Sequence, residues 1–160
     1  MSIAASTCLW FDGRIEEAAN FYVSLVPGSS IGAIDRVPEG VEIPGPMAPG
    51  DALTIDFELA GTPFQLLNGG PAFPQSEAAS IVLMVDTQEE VDRLWNALTS
   101  EGGAESECGW CKDRFGISWQ IVPRRLIELT RGPKAAAVTR AMRSMKKLDI
   151  AALEAAAREA

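Results

Sequence analysis

Two kinds of apolar spacing alternate along the chain, one with the two-residue period of a strand and one with the longer period of a helix. Ser6-Thr-Cys-Leu-Trp-Phe-Asp12 predicts a short strand ending in a turn residue. Arg14 to Val26 predicts a helix, with Ile15, Ala18, Ala19, Tyr22, Leu25 and Val26 on one apolar face, and Pro27-Gly28 stops it. A second strand, Ser30 to Val37, leads into Pro38 to Gly50, whose four prolines and three glycines make it a loop. Leu53 to Leu59 alternates apolar with polar residues, as a half-buried strand does. After a turn at Ala60-Gly61, Pro63 to Asn68 is its antiparallel neighbour, and Gly69-Gly70-Pro71 closes a βαβββ unit.

The same order then returns. Ser80 to Asp86 predicts a strand, and Thr87 to Leu98 a helix with Val91, Leu94, Trp95 and Leu98 on one face. Thr87 and Glu90 have capping-box spacing, in which hydroxyl and carboxylate each satisfy an orphan amide. Gly102-Gly103 ends that helix, and Glu105 to Trp110, a short piece from Lys112 to Arg114, and Ile117 to Val122 follow as strands. The halves superpose at three places in one order: Ser6 to Asp12 on Ser80 to Asp86, Glu16-Glu17 on Glu89-Glu90, and Gly61-Thr-Pro-Phe-Gln-Leu66 on Gly116-Ile-Ser-Trp-Gln-Ile121. Past Pro123 the chain becomes alanine-rich helix. Pro133 suits a first-turn position, and Val138, Ala141, Met142 and Met145 form a stripe that suits core or a subunit interface. A further short helix begins at Asp149.

The expected fold class is therefore α+β in a single domain over 1–160. Module one is 1–71, module two is 78–123, and C-terminal helices occupy 124–160. At 160 residues and 47% hydrophobic content, the chain can bury one sizeable core. A formal charge of -8 gives no basic footprint, and the only cations adjacent in sequence are Arg124-Arg125 and Lys146-Lys147, so nucleic acid and anionic membrane are not expected partners. There is no apolar run of the ~20 residues that span a bilayer and no export-type N-terminus, which makes a cytoplasmic location the expectation. Three cysteines are too few for a disulfide framework. Histidine is absent altogether, which removes the commonest general base and the commonest transition-metal ligand.

Leu9-Trp-Phe-Asp-Gly13, Glu16-Glu-Ala-Ala-Asn-Phe-Tyr22, Leu67-Asn-Gly-Gly-Pro71, Cys108-Gly-Trp110, Asp113-Arg-Phe-Gly-Ile-Ser-Trp-Gln-Ile-Val-Pro-Arg124 and Met145-Lys-Lys-Leu-Asp-Ile150 resemble the PhnB-like branch of the vicinal oxygen chelate (glyoxalase/bleomycin resistance/dihydroxybiphenyl dioxygenase) superfamily. Members often carry the label 3-demethylubiquinone-9 3-methyltransferase. The resemblance implies paired βαβββ modules forming a curled mixed sheet around a cavity, commonly in homodimers. In metal-using members, ligands come from the first and last strands of each module. Carried onto this chain, those positions are Ser6 and Gln65, then Ser80 and Gln120, with Cys8 the nearest alternative on the first strand. Four neutral oxygen donors are a poor site for a catalytic transition metal, which needs imidazole and carboxylate to compete with water.

Other chemistry is thinly marked. A nucleotide-type methyl donor is usually held by a glycine-rich turn opening a helix after a parallel strand, and Asn68-Gly-Gly-Pro71 opens none. Cys108-Gly-Trp-Cys111 has redox or zinc spacing but lies in a sheet region, which favours structural cysteine. Asp113 and Arg114 suggest a turn with an ion pair. Asp56 and Glu58 lie on the polar face of their strand, toward either cavity or water, and an inward one would be the leading general base. Trp10 shares the parity of Ser6, whereas Trp119 has the opposite parity to Gln120 and should pack under a helix. Trp10 or Trp110 with Gln65, Asn68 and Gln120 would make an apolar cleft with a few neutral hydrogen-bonding groups, suited to a planar, weakly charged small molecule.

Three readings stay open: a metal-free small-molecule binding protein with its cavity between the modules, a metal-independent enzyme using Asp56, Glu58 or Cys8, and a structural dimer with a filled cavity. No cofactor is expected. Elemental analysis of protein purified without added metal should show well under one equivalent of zinc, nickel, iron or manganese.

Overall fold

The computed structural model describes residues 3–41, 43 and 47–159. Glu42 and residues 44–46, part of the expected loop from Pro38 to Gly50, lie outside the described residues. The chain divides into two compact units, Met1–Pro74 and Gln75–Ala160.

In the first unit, β1 (Thr7–Phe11), α1 (Ile15–Leu25), β2 (Ser30–Arg36), β3 (Ala52–Leu59) and β4 (Thr62–Asn68) make a four-stranded sheet in the order β1-β4-β3-β2. The β1–β4 pair is parallel and the others antiparallel, so the crossover through α1 lays that helix on one face of the sheet. Ile15, Ala18, Ala19, Tyr22 and Leu25 are buried there, as the periodicity predicts. They share a core with Ile55, Phe57, Leu59, Phe64 and Leu66, and Phe57 stacks on Phe64 at 5.3 Å between ring centroids. Alternation within β3 and β4 then turns Asp56, Glu58 and Gln65 to the face away from α1.

The second unit repeats the plan with β5 (Ile81–Val85), α2 (Gln88–Thr99), β6 (Ala104–Glu105), β7 (Trp110–Lys112) and β8 (Ser118–Pro123), in the order β5-β8-β7-β6. The capping box is present: Glu90 N–H donates to Thr87 Oγ1 at 3.2 Å, and Thr87 N–H to Glu90 Oε2 at 3.1 Å. Two backbone amides, from Asp86 and Thr87, hold the Glu90 carboxyl below its usual pKa. Val91, Leu94, Trp95 and Leu98 pack on the sheet with Trp119 and Ile121. The βαβββ pairing is thus present twice. Each unit is an open four-stranded sheet, edged by β1 and β2 in the first and by β5 and β6 in the second, and no closed sheet forms among the described residues.

Glu105 to Trp110 is not a strand. Cys108 and Gly109 both take positive φ, 57° and 86°, which breaks the extended run and leaves a two-residue β6 before β7. The amides of that turn are satisfied from outside the sheet. Cys108 N–H donates to Met145 O and Gly109 N–H to Lys146 O, each at 2.8 Å.

Those acceptors belong to a strap, 144–149, that joins two helices of the C-terminal region: α3 (Arg124–Thr130) and α4 (Ala135–Arg143) precede it and α5 (Ile150–Glu159) follows. Along the strap, Lys146 pairs with Glu105, Lys147 with Asp92, and Leu148 is fully buried with Val122, Leu126, Val138 and Leu153. Gln88 closes it, donating to Leu148 O at 3.1 Å and accepting from Ile150 N–H at 2.9 Å. Asp149 caps α5 through its side chain to Ala152 N–H at 2.8 Å. Pro133 stands before α4, not in its first turn: Ala135 N–H donates to Gly132 O, so proline occupies the second position of a β-turn, which its fixed φ favours.

Gly109 carries two demands at once, a left-handed backbone and no room for a side chain, since an added Cβ would lie 2.9 Å from both Ile121 O and Leu148 Cδ1. Gly28, with φ +75° and open space around it, carries only the first. In urea denaturation, Gly28→Ala should cost about 1 kcal/mol and Gly109→Ala about 3 kcal/mol or more.

Candidate functional site

Register places the candidate residues in two matching rows. In the first unit Gln65 on β4 lies opposite Cys8 on β1 and Asp56 on β3. In the second, Gln120 on β8 lies opposite Val82 on β5 and Trp110 on β7. Ser6 and Ser80 stand two residues before Cys8 and Val82, so the superposition made on sequence is the one the sheets use. Both rows point away from the helix of their own unit, because Phe64 and Leu66, like Trp119 and Ile121, take the covered side.

The rows differ in chemistry. Gln65 Nε2 donates to Asp56 Oδ1 at 2.8 Å, and the exposed carboxylates Asp35 and Glu58 lie on the same face, Asp35 accepting from Thr54 Oγ1 at 3.0 Å. Gln120 Nε2 donates to Ser80 Oγ at 2.8 Å, and its strand neighbours are apolar: Val82 is 48% exposed and Met84 37%. Ser118 shares the face of Gln120, is buried, and its Oγ has no hydrogen-bond partner among the described residues. A buried hydroxyl without a partner is uncommon and costs stability. Sequence reasoning passed over Ser118; its two-residue spacing from Gln120 was the available signal.

Some candidates are employed elsewhere. Trp10 donates its indole N–H to Gly70 O at 2.7 Å and meets Phe73 edge-on, so the loop after β4 covers it. A side chain at Gly69 would run into that indole, which is why a glycine stands there. Asn68 falls on the opposite parity from Gln65, and its amide links the β1–α1 turn to β3, accepting from Gly13 N–H at 3.0 Å and donating to Ala52 O at 3.3 Å. It borders a different feature, a cleft of about 360 Å³ at the start of α1 among Asp12, Glu16, Glu17 and Asp51. Asp56 and Glu58 are exposed, so the burial on which a general-base reading rested is not seen within the first unit.

Asp113, 2% exposed, is a turn residue as expected, but its carboxylate binds backbone and indole: Phe115 N–H at 2.8 Å, Ile117 N–H at 3.0 Å and Trp119 Nε1–H at 2.8 Å. Arg114 pairs with Glu101. All three thiols are free. Cys111 is buried on the α2 side of the sheet, where burial, with Asp113 close by, pushes its pKa up to about 12. Partial burial also raises that of Cys8. A raised thiol pKa suits neither a redox pair at Cys111 nor a nucleophile at Cys8 at neutral pH.

Among the described residues no cluster of three or more His, Cys, Asp or Glu could hold a metal ion. The serine and glutamine positions do not fit one either. In the second unit they satisfy each other, and in the first the glutamine amide nitrogen faces the one carboxylate in the row.

Residues 4–122 match the model of the 3-demethylubiquinone-9 3-methyltransferase family. The chain belongs to that family. The PhnB protein of Bacillus cereus is 31% identical, with a TM-score of 0.66 over 74% of this chain and 98% of that one. A protein of Pseudomonas aeruginosa is 27% identical, with a TM-score of 0.59 over 76% of this chain and 98% of its own. A glyoxalase/bleomycin resistance protein from Albidiferax ferrireducens T118 aligns over 77% of this chain and 99% of its own at 14% identity and a TM-score of 0.48. No curated protein matches the chain. The family region ends just before α3, so the C-terminal helices and their strap lie beyond it.

Thiol labelling tests these environments. A thiol whose pKa is raised stays protonated, and slow to alkylate, until pH climbs to that value. With maleimide at about pH 7 to 9, exposed Cys8 should label in the native protein at a rate that rises with pH, while Cys111 labels only after unfolding.

Proposed function

We propose that this family member binds a small, planar, weakly charged molecule on the sheet face of the second unit that carries Gln120, without a transition metal. The observation that carries the reading is the second row. Gln120 and Ser80 sit there beside partly exposed Val82 and Met84, and Ser118 has an unanswered buried hydroxyl on the same face. Apolar area with a few fixed neutral polar groups is the usual make-up of a small-molecule site. Three free thiols and the absence, among the described residues, of a helix long and apolar enough to cross a membrane support work in a reducing, cytoplasmic setting.

Methyl transfer, which the family's name denotes, draws no support from these residues. The two strand-to-helix turns, Asp12-Gly13-Arg14 and Asp86-Thr87, are not glycine-rich, and neither strand order is doubly wound. A metal-independent enzyme is the second reading, favoured by one observation: the exposed Cys8 thiol stands beside Gln65 in register. Its raised pKa leaves it a weak nucleophile, so binding ranks first.

Native mass spectrometry of protein taken gently from its host should show a retained small molecule. Gln120→Leu should weaken its retention about fivefold, the worth of one hydrogen bond of about 1 kcal/mol. Ser118→Ala should also weaken retention while leaving the ligand-free protein as stable or slightly more so, because it deletes an unsatisfied hydroxyl. Retention unchanged in both variants, or tight S-adenosylmethionine binding, would overturn the reading.

A further inference from the structure

Ser118 is 2% exposed although it lies on the side of β8 that turns away from α2, so something other than that helix covers it. The segment 75–80, which leads into β5 and belongs to the same unit, brackets it. Gln75 lies beside Gly116, two residues before Ser118, where an added Cβ would meet the Gln75 Cβ at 3.6 Å. Glu77 forms an ion pair with Lys112, the residue opposite Ser118 in register. Ser80 accepts from Gln120, two residues after Ser118. The segment therefore passes over a buried hydroxyl that has no partner among the described residues.

That cover is lightly held. Residues 75–80 form neither helix nor strand, Ser76 to Ala79 are exposed, and among the described residues no backbone hydrogen bond joins 76–79 to the sheet. The side chains of Glu77 and Lys112 are 61% and 38% exposed, and ion pairs so exposed are weak. The Lys112 ammonium, and after it the Glu77 amide, hold the Glu77 carboxyl below its usual pKa, so it is ionised at neutral pH. Lys112 shares its face with Trp110, as Ser118 does with Gln120. The lysine and the serine thus stand one two-residue strand step, about 7 Å, from the row of Trp110, Gln120 and Val82. A small planar acid can span that step, with its ring on one row and its carboxylate on the other.

Resting on the binding reading above, we propose that the molecule bound on this face carries a single carboxylate, which replaces Glu77 on Lys112, and that segment 75–80 is an autoinhibitory cover which this exchange lifts from Ser118. Displacement trades one lysine–carboxylate pair for another, so the electrostatic balance is close to even. The gain comes from the Ser118 hydroxyl finding a partner and from a ring covering Val82 and Trp110. A neutral ligand would leave Glu77 on its lysine and the hydroxyl covered. Glu77 thus acts as a stand-in for the ligand's acidic group and selects for it.

Calorimetric titration of the full chain with 2-naphthoate, and with its neutral isostere 2-naphthamide, tests this. The wild type should bind the carboxylate and prefer it to the amide. Glu77→Gln should bind 2-naphthoate about threefold tighter, because an exposed ion pair no longer has to be displaced. Lys112→Gln should lose the preference for the carboxylate. Ser118→Ala should weaken 2-naphthoate binding in both the wild type and the Glu77→Gln background. Unfolding midpoints of the Glu77 and Lys112 variants should stay near that of the wild type, since both side chains are at the surface. An affinity for 2-naphthoate unchanged by Glu77→Gln, a preference that survives Lys112→Gln, or no binding of 2-naphthoate to either the wild type or Glu77→Gln overturns the proposal. A retained host molecule that depends on Gln120 but has no acidic group also overturns it, while leaving the binding reading intact.

Discussion

The arrangement rests on the parity of one strand in each unit, β4 in the first and β8 in the second. Each lies between the parallel partner delivered by the crossover helix and the antiparallel neighbour that follows in the sheet. Because the helix must bury its apolar stripe on that sheet, Phe64 and Leu66, or Trp119 and Ile121, are committed to its side. Gln65 and Gln120 then have one direction left. A slip of one residue in either pairing would turn a glutamine into the core and an aromatic ring outward, an exchange that burial energy forbids. The make-up of the candidate face follows from that constraint.

The two units share a plan but not a surface. The same register position holds Asp56 in one and Trp110 in the other, and Cys8 in one is matched by Val82 in the other. The two units share the covered apolar positions and the central glutamine, while the flanking positions are acidic in the first unit and apolar in the second.

The C-terminal strap shows how a motif can be specific without being catalytic. Each part of Met145-Lys-Lys-Leu-Asp-Ile150 has a mechanical use: carbonyls for the Cys108 and Gly109 amides, lysines for Glu105 and Asp92, a leucine for the core, an aspartate to cap α5, and a last amide for Gln88. It holds the turn that precedes Trp110, and so reaches the candidate face from the back.

By itself the sequence determined the two βαβββ repeats, the helical faces, the Thr87–Glu90 capping box and the equivalence of Gln65 with Gln120, because all of these are written in spacing along a few consecutive residues. It also showed that histidine ligands were absent. It could not show that Asn68 and Trp10 are engaged in holding turns, that Cys108 and Gly109 break a strand, that Ser118 lacks a partner, or which lysines and arginines are neutralised. Many of those outcomes turn on partners far away along the chain, such as Gly70 for Trp10 and Met145 for Cys108. A hydrogen bond or ion pair depends on distance in space, and only the folded chain sets that.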